Sequence, residues 1–234
     1  DHWVRIADTC LLYIMMALGM NIVVGYAGLL DLGYVAFYAV GAYLFALLCS
    51  QHLPEHFAWI AAMFPAGLHA PWWLTIPLAI LLAGVLGIIL GAPTLKLRGD
   101  YLAIVTLGFG EIVRIFINNL GHPINITQGA KGLGQIDSIQ FLGVDLGKPL
   151  SLGGYLLSSV TLYYYLFLVL TVVTIFVCYR LQGSRIGRAW MAIRDDEMAA
   201  EAMGIHTRNM KLLAFGMGAC FGGVAGAMFA AFQG

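Results

Sequence analysis

Two groupings of ionisable side chains have spacings that could support chemistry. His52, Glu55 and His56 spell H-x-x-E-H. Inverted zinc peptidases use that pattern, with two histidines four apart sharing a metal on one helix face and a glutamate as base. Pro54 falls between them and would disturb a helix interior, because it lacks a backbone donor. No third ligand is evident, so the stretch reads as a polar loop and not as a metal centre. The second grouping is Glu111 and Arg114, inside the run YLAIVTLGFGEIVRIFINN. Residues three apart share one helix face. A lone charge near a bilayer centre costs on the order of 2.5–3.5 kcal/mol on insertion scales. Pairing within the helix, and facing the interior of a bundle, would offset much of that. With Thr106 and Asn118 nearby, the pair could line a path for a polar solute. The alternative is a structural ion pair that holds helices together.

No G-x-x-x-x-G-K-[ST] is present, so the chain has no loop of its own to cradle ATP phosphates. No C-x-x-C or Ser/His/Asp grouping stands out. No catalytic residue, metal ligand or bound cofactor is expected. Cys10, Cys49, Cys178 and Cys220 lie in or beside apolar runs and read as packing residues.

The elements that must position these groups follow from composition. Of 234 residues, 61% are hydrophobic and 10% charged, and the mean hydropathy is +0.86. Soluble domains average about 45–50% apolar and about 25% charged, so one water-soluble core could not absorb this chain. Twelve basic and twelve acidic residues cancel, leaving no field to attract nucleic acid. The expected fold is all-α: a polytopic transmembrane helical bundle forming one permease domain over 1–234. About 20 apolar residues cross the hydrocarbon core, and runs of about that length occupy 9–30, 32–50, 74–92, 101–118, 160–179 and 212–233, giving about six spans. The first residue is Asp1 and the last run ends at Gly234, so the sequence reads as an interior piece of a longer chain.

Orientation follows from basic residues, which favour the cytoplasmic side. Arg180, Arg185, Arg188, Arg194, Arg208 and Lys211 sit in 180–211, and Lys96 and Arg98 in 93–100. Both segments are expected inside, leaving 51–73 and 119–159 outside. The 51–73 stretch, with Trp59, Trp72 and Trp73, is expected as an outer loop or a shallow helix.

Small residues recur four apart in the last run: Ala214, Gly218, Gly222, Gly226 and Ala230. Such a face lets helix backbones approach closely in lipid. Ala83, Gly87 and Gly91 do the same in the third run. Static packing is the simpler reading of each stripe, a moving gate the other. Asn21, Gly25, Gly28, Asp31 and Gly33 punctuate 21–33. They mark either a broken helix lining a cavity, with Asn21 on the solute path, or a tight inner turn with an Asp cap.

In 180–211, Asp195 and Asp196 can cap a helix, Glu197 suits its first turn and Gly204 its C′ position. A short cytoplasmic helix over about 197–203 is expected, with Thr207 capping the final span.

Three blocks, GDYLAIVTLGFGEIVRI, NIVVGYAGLLDLGYVAFYAVGAYLFALL and GRAWMAIRDDEMAAEAMGI, resemble the LivM-type permeases of bacterial branched-chain amino-acid ABC transporters. The resemblance covers nearly the whole chain. It implies a multi-pass subunit of a bacterial inner-membrane importer working by alternating access. Its implied companions are a LivH-like second permease, two ATP-binding subunits that use ATP and Mg, and a periplasmic binding protein for leucine, isoleucine and valine. Related permeases for urea, short amides or other amino acids are the alternative. A stand-alone channel or secondary carrier, which needs no docking loop, is the rival class.

Within the resemblance, 197–204 is similar to the coupling motif E-A-A-x-x-x-G of importer permeases. Its register against Gly204 gives Met198, Ala199 and Ala200, with the acid displaced to Glu197. The implied coupling surface comprises Arg188, Arg194, Asp195, Asp196, Glu197, Ala199, Ala200, Glu201 and Gly204. The segment INITQGAKGLGQI resembles a glycine-rich outer stretch of the family, from which Gln128, Ala130 and Lys131 depart. It is expected to meet the binding protein.

Overall fold

The computed structural model describes residues 2–56, 68–94, 100–121, 125–141, 144–152 and 155–234. Ala58–Phe64, Lys96 and Arg98 therefore lie outside the described residues. Helix α1 (His2–Asn21) continues into a π turn at Ile22–Tyr26. An irregular stretch, 27–34, leads to α2 (Val35–Leu48). Helix α3 is a single turn (His52–His56), and α4 (Trp72–Thr94) and α5 (Asp100–Asn119) are long. After a 3-10 turn at Gly129–Lys131, two antiparallel hairpins pair β1 (Gln140–Phe141) with β2 (Val144–Asp145) and β3 (Leu150–Leu152) with β4 (Tyr155–Leu157). Helix α6 (Ser159–Gln182) follows, then α7 (Arg185–Asp195), α8 (Glu197–Ala202) and α9 (Thr207–Gln233).

The chain is a polytopic helical bundle, with strands among the described residues only in the two small hairpins. Five helical stretches are long and apolar enough to cross a membrane: His2–Tyr26, Trp72–Thr94, Tyr101–Asn119, Ser159–Gln182 and Thr207–Gln233. The expected second run yields only the 14 residues of α2. At 1.5 Å per residue that helix is about 21 Å long, against a hydrocarbon core of about 30 Å. Gly28, with φ +68°, and Gly33 end the helical conformation upstream of it.

Helix α9 is central, and its glycines explain why. A Cβ on Gly226 would strike the Tyr38 carbonyl oxygen and stand 2.9 Å from Ala42 N, both backbone atoms of α2. One on Gly222 would lie 3.2 Å from Phe37 Cβ, and one on Gly218 would press on Val23. The stripe 218–222–226 thus seats the end of α1 and the length of α2. A second small face points elsewhere. Gly87 faces Ala219 and Gly91 faces Phe215, while Gly223 faces Ala83. That order makes α4 and α9 antiparallel and consumes the 83–87–91 stripe. Both stripes serve helix contacts, where dispersion rather than water release drives association. Helix α6 packs on α1, burying Tyr163, Phe167, Thr171, Thr174 and Cys178. Helix α5 stands at the margin, with most of its side chains uncovered.

Side-chain contacts define two ends of the bundle. One gathers the π turn, 27–34, the end of α4, and 180–211: Gly91 lies against Phe215, and Arg194 reaches Gly25. The other gathers α3, 68–72 and 125–152: Asp137 N donates to Cys49 O, and His52 meets Asn125.

Candidate functional site

At the first end, α7 and α8 form a bracket. Ser184 caps α7, its hydroxyl oxygen accepting from Gly187 N at 3.1 Å. Gly187 must be small, because a Cβ there would meet the carbonyls of Leu181 and Gln182. Apolar residues spaced three and four apart turn one face of α7 inward, and Trp190 and Ile193 are buried on it. Trp190 is fully buried, and its Nε1–H donates to Met210 O at 2.7 Å, on the first turn of α9. One helical turn on, Arg194 Nη1 donates to Gly25 O at 2.6 Å, a carbonyl of the π turn. Its aliphatic stem packs where a Cβ on Gly28 would sit. Arg188 donates to Gly183 O at 2.8 Å.

Asp196 then caps α8, with Oδ1 accepting from Met198 N (2.8 Å) and Ala199 N (3.1 Å). Asp195 does not share that role; it is the last residue of α7. Helix α8 spans Glu197–Ala202, close to the expected 197–203, and Gly204 takes the left-handed C′ position with φ +85°. Lys211 Nζ holds Glu197 Oε1 at 2.5 Å, and Lys211 is buried. Ala200 faces inward, whereas Met198, Ala199, Glu201 and Met203 are exposed. Thr207 does not cap the last span. It is the first helical residue, and His206 precedes it without a side-chain cap bond.

Asp196→Ala is expected to cost about 1 kcal/mol of local stability, the usual worth of an N-cap. It would be read as faster amide exchange at Met198 and Ala199. Unchanged exchange at both would remove Asp196 as the cap.

The candidate path residues do not form one group. Thr106 is buried, and its hydroxyl accepts from Leu32 N at 3.0 Å while donating to Ala103 O at 3.1 Å. It pins 27–34 to α5 and lines nothing. Asp31 works beside it, Oδ1 accepting from Gly33 N at 2.9 Å. The stretch is therefore both a helix break and an Asp turn, but Asp31 does not cap α2, whose N-cap position is Tyr34. Asn21 is exposed near the π turn, remote from Glu111 in the fold's contacts. Glu111 and Arg114 do pair, with Nη1–Oε2 at 3.2 Å, but they do not face the interior of this chain: the side chains are 53% and 72% exposed. They lie with Asn118 in a groove of about 360 Å³ between α2 and α5.

At the opposite end the H-x-x-E-H residues form α3. Pro54 is tolerated because it lies in the first turn, where backbone N–H groups have no intrahelical partner. His52 is buried, its Nε2 3.2 Å from Asn125 O and its Nδ1 3.1 Å from Gln128 Nε2. Asn125 Nδ2 lies 3.3 Å from His56 Nε2. The histidines thus fasten the 125–128 turn. Among the described residues no group of three His, Cys, Asp or Glu could hold a metal. Gln128 occupies a left-handed conformation (φ 56°) that favours glycine, and its bonds to Asn125 Oδ1 and His52 hold it there. In the β1–β2 turn, the Ser138 hydroxyl donates to Asp145 and holds its carboxyl below the usual range.

The family described as "Branched-chain amino acid transport system / permease component" matches residues 3–234. The chain belongs to this permease family. It is 42% identical over 99% of its length to the "High-affinity branched-chain amino acid transport system permease protein LivM" of Escherichia coli (strain K12), covering 53% of that protein. The Salmonella typhimurium LivM is equally similar. The LivH permease protein of Salmonella typhimurium is 25% identical over 95% of the chain and 67% of its own length. No solved structure matches. The permease chain thus spans about half the length of the LivM proteins it resembles, and it is a multi-pass membrane protein.

Several residues that organise this permease were not singled out from sequence. Lys211 was counted only as a loop charge, and Trp190 not at all. Their partners, Glu197 and the Met210 carbonyl, are 14 and 20 positions away across a turn, beyond any local spacing rule. Helix α7 did leave a signal: I186, W190 and I193 recur at helical spacing between charged residues.

Proposed function

We propose that the chain is the membrane-spanning part of a permease subunit in an ATP-driven importer of leucine, isoleucine and valine in a bacterial inner membrane. The 180–211 end lies in the cytoplasm, and 51–73 and 119–159 lie in the periplasm. Two ATP-binding subunits, using ATP and Mg, press on the bracket formed by α7 and α8. A LivH-like permease supplies the other half of the path, and a periplasmic binding protein delivers the amino acid to the outer end.

One observation carries this reading. The bracket is fixed at three points, Trp190 to Met210 O, Arg194 to Gly25 O and Glu197 to Lys211, and these points belong to the ends of α9 and α1. An inert surface loop needs no such attachments. A rigid helix pair tied to two membrane helices moves them when pushed, while the exposed tip (Met198, Ala199, Glu201, Met203) offers an apolar and acidic surface to the pusher. The basic residues of 180–211 agree with a cytoplasmic location.

The test is reconstitution of the full-length permease in liposomes. Uptake of labelled leucine is expected only with the ATP-binding subunits, the second permease and the liganded binding protein together. Uptake by the permease alone would make it a carrier or channel. In whole cells, Ser184→Cys should react with membrane-impermeant thiol reagents only from the cytoplasmic side, and Gln128→Cys only from outside. Reversed labelling would invert the topology and remove the bracket from the ATPase.

A further inference from the structure

The groove between α2 and α5 has an unusual combination of linings. Val35, Ala39 and Tyr43 on one wall and Leu107 and Ile117 on the other are apolar or largely so. Into this lining project one carboxylate, Glu111, and one guanidinium, Arg114, at the midpoint of a membrane-length helix. Hydrocarbon cannot be what covers this face, since both charged side chains are more than half exposed. Its volume, about 360 Å³, lies in the range of small-molecule sites, about 300–1,000 Å³.

We propose that this groove is one wall of a transit site for an aliphatic α-amino acid, held as the zwitterion. The ammonium meets Glu111, the carboxylate meets Arg114, and the branched side chain lies along Val35, Ala39 and Leu107. The inference rests on the function proposed above and names the site within it.

Charge and donor count support this occupant. Among the described residues Arg114 engages Glu111 through Nη1 alone, so the remaining guanidinium donors are available for a carboxylate, the planar anion that an arginine fork fits. The ion pair is neutral overall and so is the zwitterion. Substrate therefore enters mid-membrane without adding net charge, and each charge of one pair meets its opposite in the other. A free carboxylic acid or a simple amine would leave one member of the pair uncompensated. Binding is meant to be weak, because Glu111 and Arg114 satisfy each other when the substrate leaves, and a transit site must release what it takes.

The experiment uses the full-length permease with its companion subunits in lipid nanodiscs, without binding protein. Ala39→Cys and, separately, Ile117→Cys report the groove through their rate of modification by a small thiol reagent. Millimolar leucine is expected to slow modification several-fold. At equal concentration, 4-methylpentanoate (no ammonium) and 3-methylbutylamine (no carboxylate) should not. Glu111→Gln and Arg114→Gln should each abolish protection by leucine. Protection that survives both substitutions overturns the assignment, as does equal protection by the acid or the amine. If leucine leaves both cysteines unprotected, or neither reacts at all, while the parent complex still takes up leucine, the groove assignment fails and the function stands. If the parent complex takes up no branched-chain amino acid, both fail.

Discussion

Replacing Gly226 with valine is expected to leave almost no folded permease. Its Cβ would be driven into the Tyr38 carbonyl and toward Ala42 N, so the obstacle is backbone on one side and backbone on the other. No rotamer change relieves such a contact. Helices α2 and α9 would have to part, which would also disturb Gly41, held against the Gly223 carbonyl, and the Tyr34 hydroxyl, which donates to Gly218 O at 2.8 Å. Overpacking in a well-packed core costs about 1–3 kcal/mol and occasionally more. Here the whole closest helix pair shares the strain, and the upper end of that range applies. The measurement is the yield of monodisperse protein in mild detergent. Gly108→Ala serves as the control, because nothing lies within 4 Å of a Cβ there. It should express normally. Normal yield of Gly226→Val would mean that α2 and α9 are not in backbone contact.

The second large effect concerns coupling. Charge reversal at Arg194 and Glu197 together (Arg194→Glu, Glu197→Lys) should leave ATP hydrolysis near its starting rate while uptake falls about 10- to 100-fold. That range corresponds to losing one charge-assisted hydrogen bond, about 1.5–3 kcal/mol. Arg194 loses its hold on Gly25 O, and a lysine at 197 faces the buried Lys211. The bracket then detaches from both α1 and α9 while Trp190 still anchors α7. Assembly should survive, checked by co-purification of the subunits. Fully coupled transport by the double variant would show that force does not pass through these contacts.

What could be read beforehand, and what could not, divides along a physical line. Features set by local composition were legible: apolar runs long enough to cross a bilayer, the α8 cap and its Gly204 terminator, and the 218–222–226 stripe all depend on residues a few positions apart. Features set by three-dimensional neighbours were not. Thr106 looked like a path residue because a hydroxyl in an apolar run resembles a lining group. Its actual partner, Leu32 N, lies 74 positions away. His52 and His56 looked like half a metal site, and the turn they fasten contains Asn125 and Gln128. Glu111 and Arg114 were readable as a pair, since three-residue spacing guarantees a shared face. Which way that face points depends on how α5 docks, and α5 docks with little of its surface.

The brevity of α2 bears on the membrane itself. A helix of 14 residues set between neighbours of 23 and 27 leaves roughly 9 Å of hydrocarbon thickness unspanned on that flank. The peptide groups of 27–34 fall into that gap, and lipid tails cannot solvate them. Hydrophobic mismatch of this kind is relieved by local thinning of the bilayer or by tilting. Packing on α9 leaves α2 little freedom to tilt, so the leaflet must dip toward the protein here, drawing headgroups and water close to the broken end of α1.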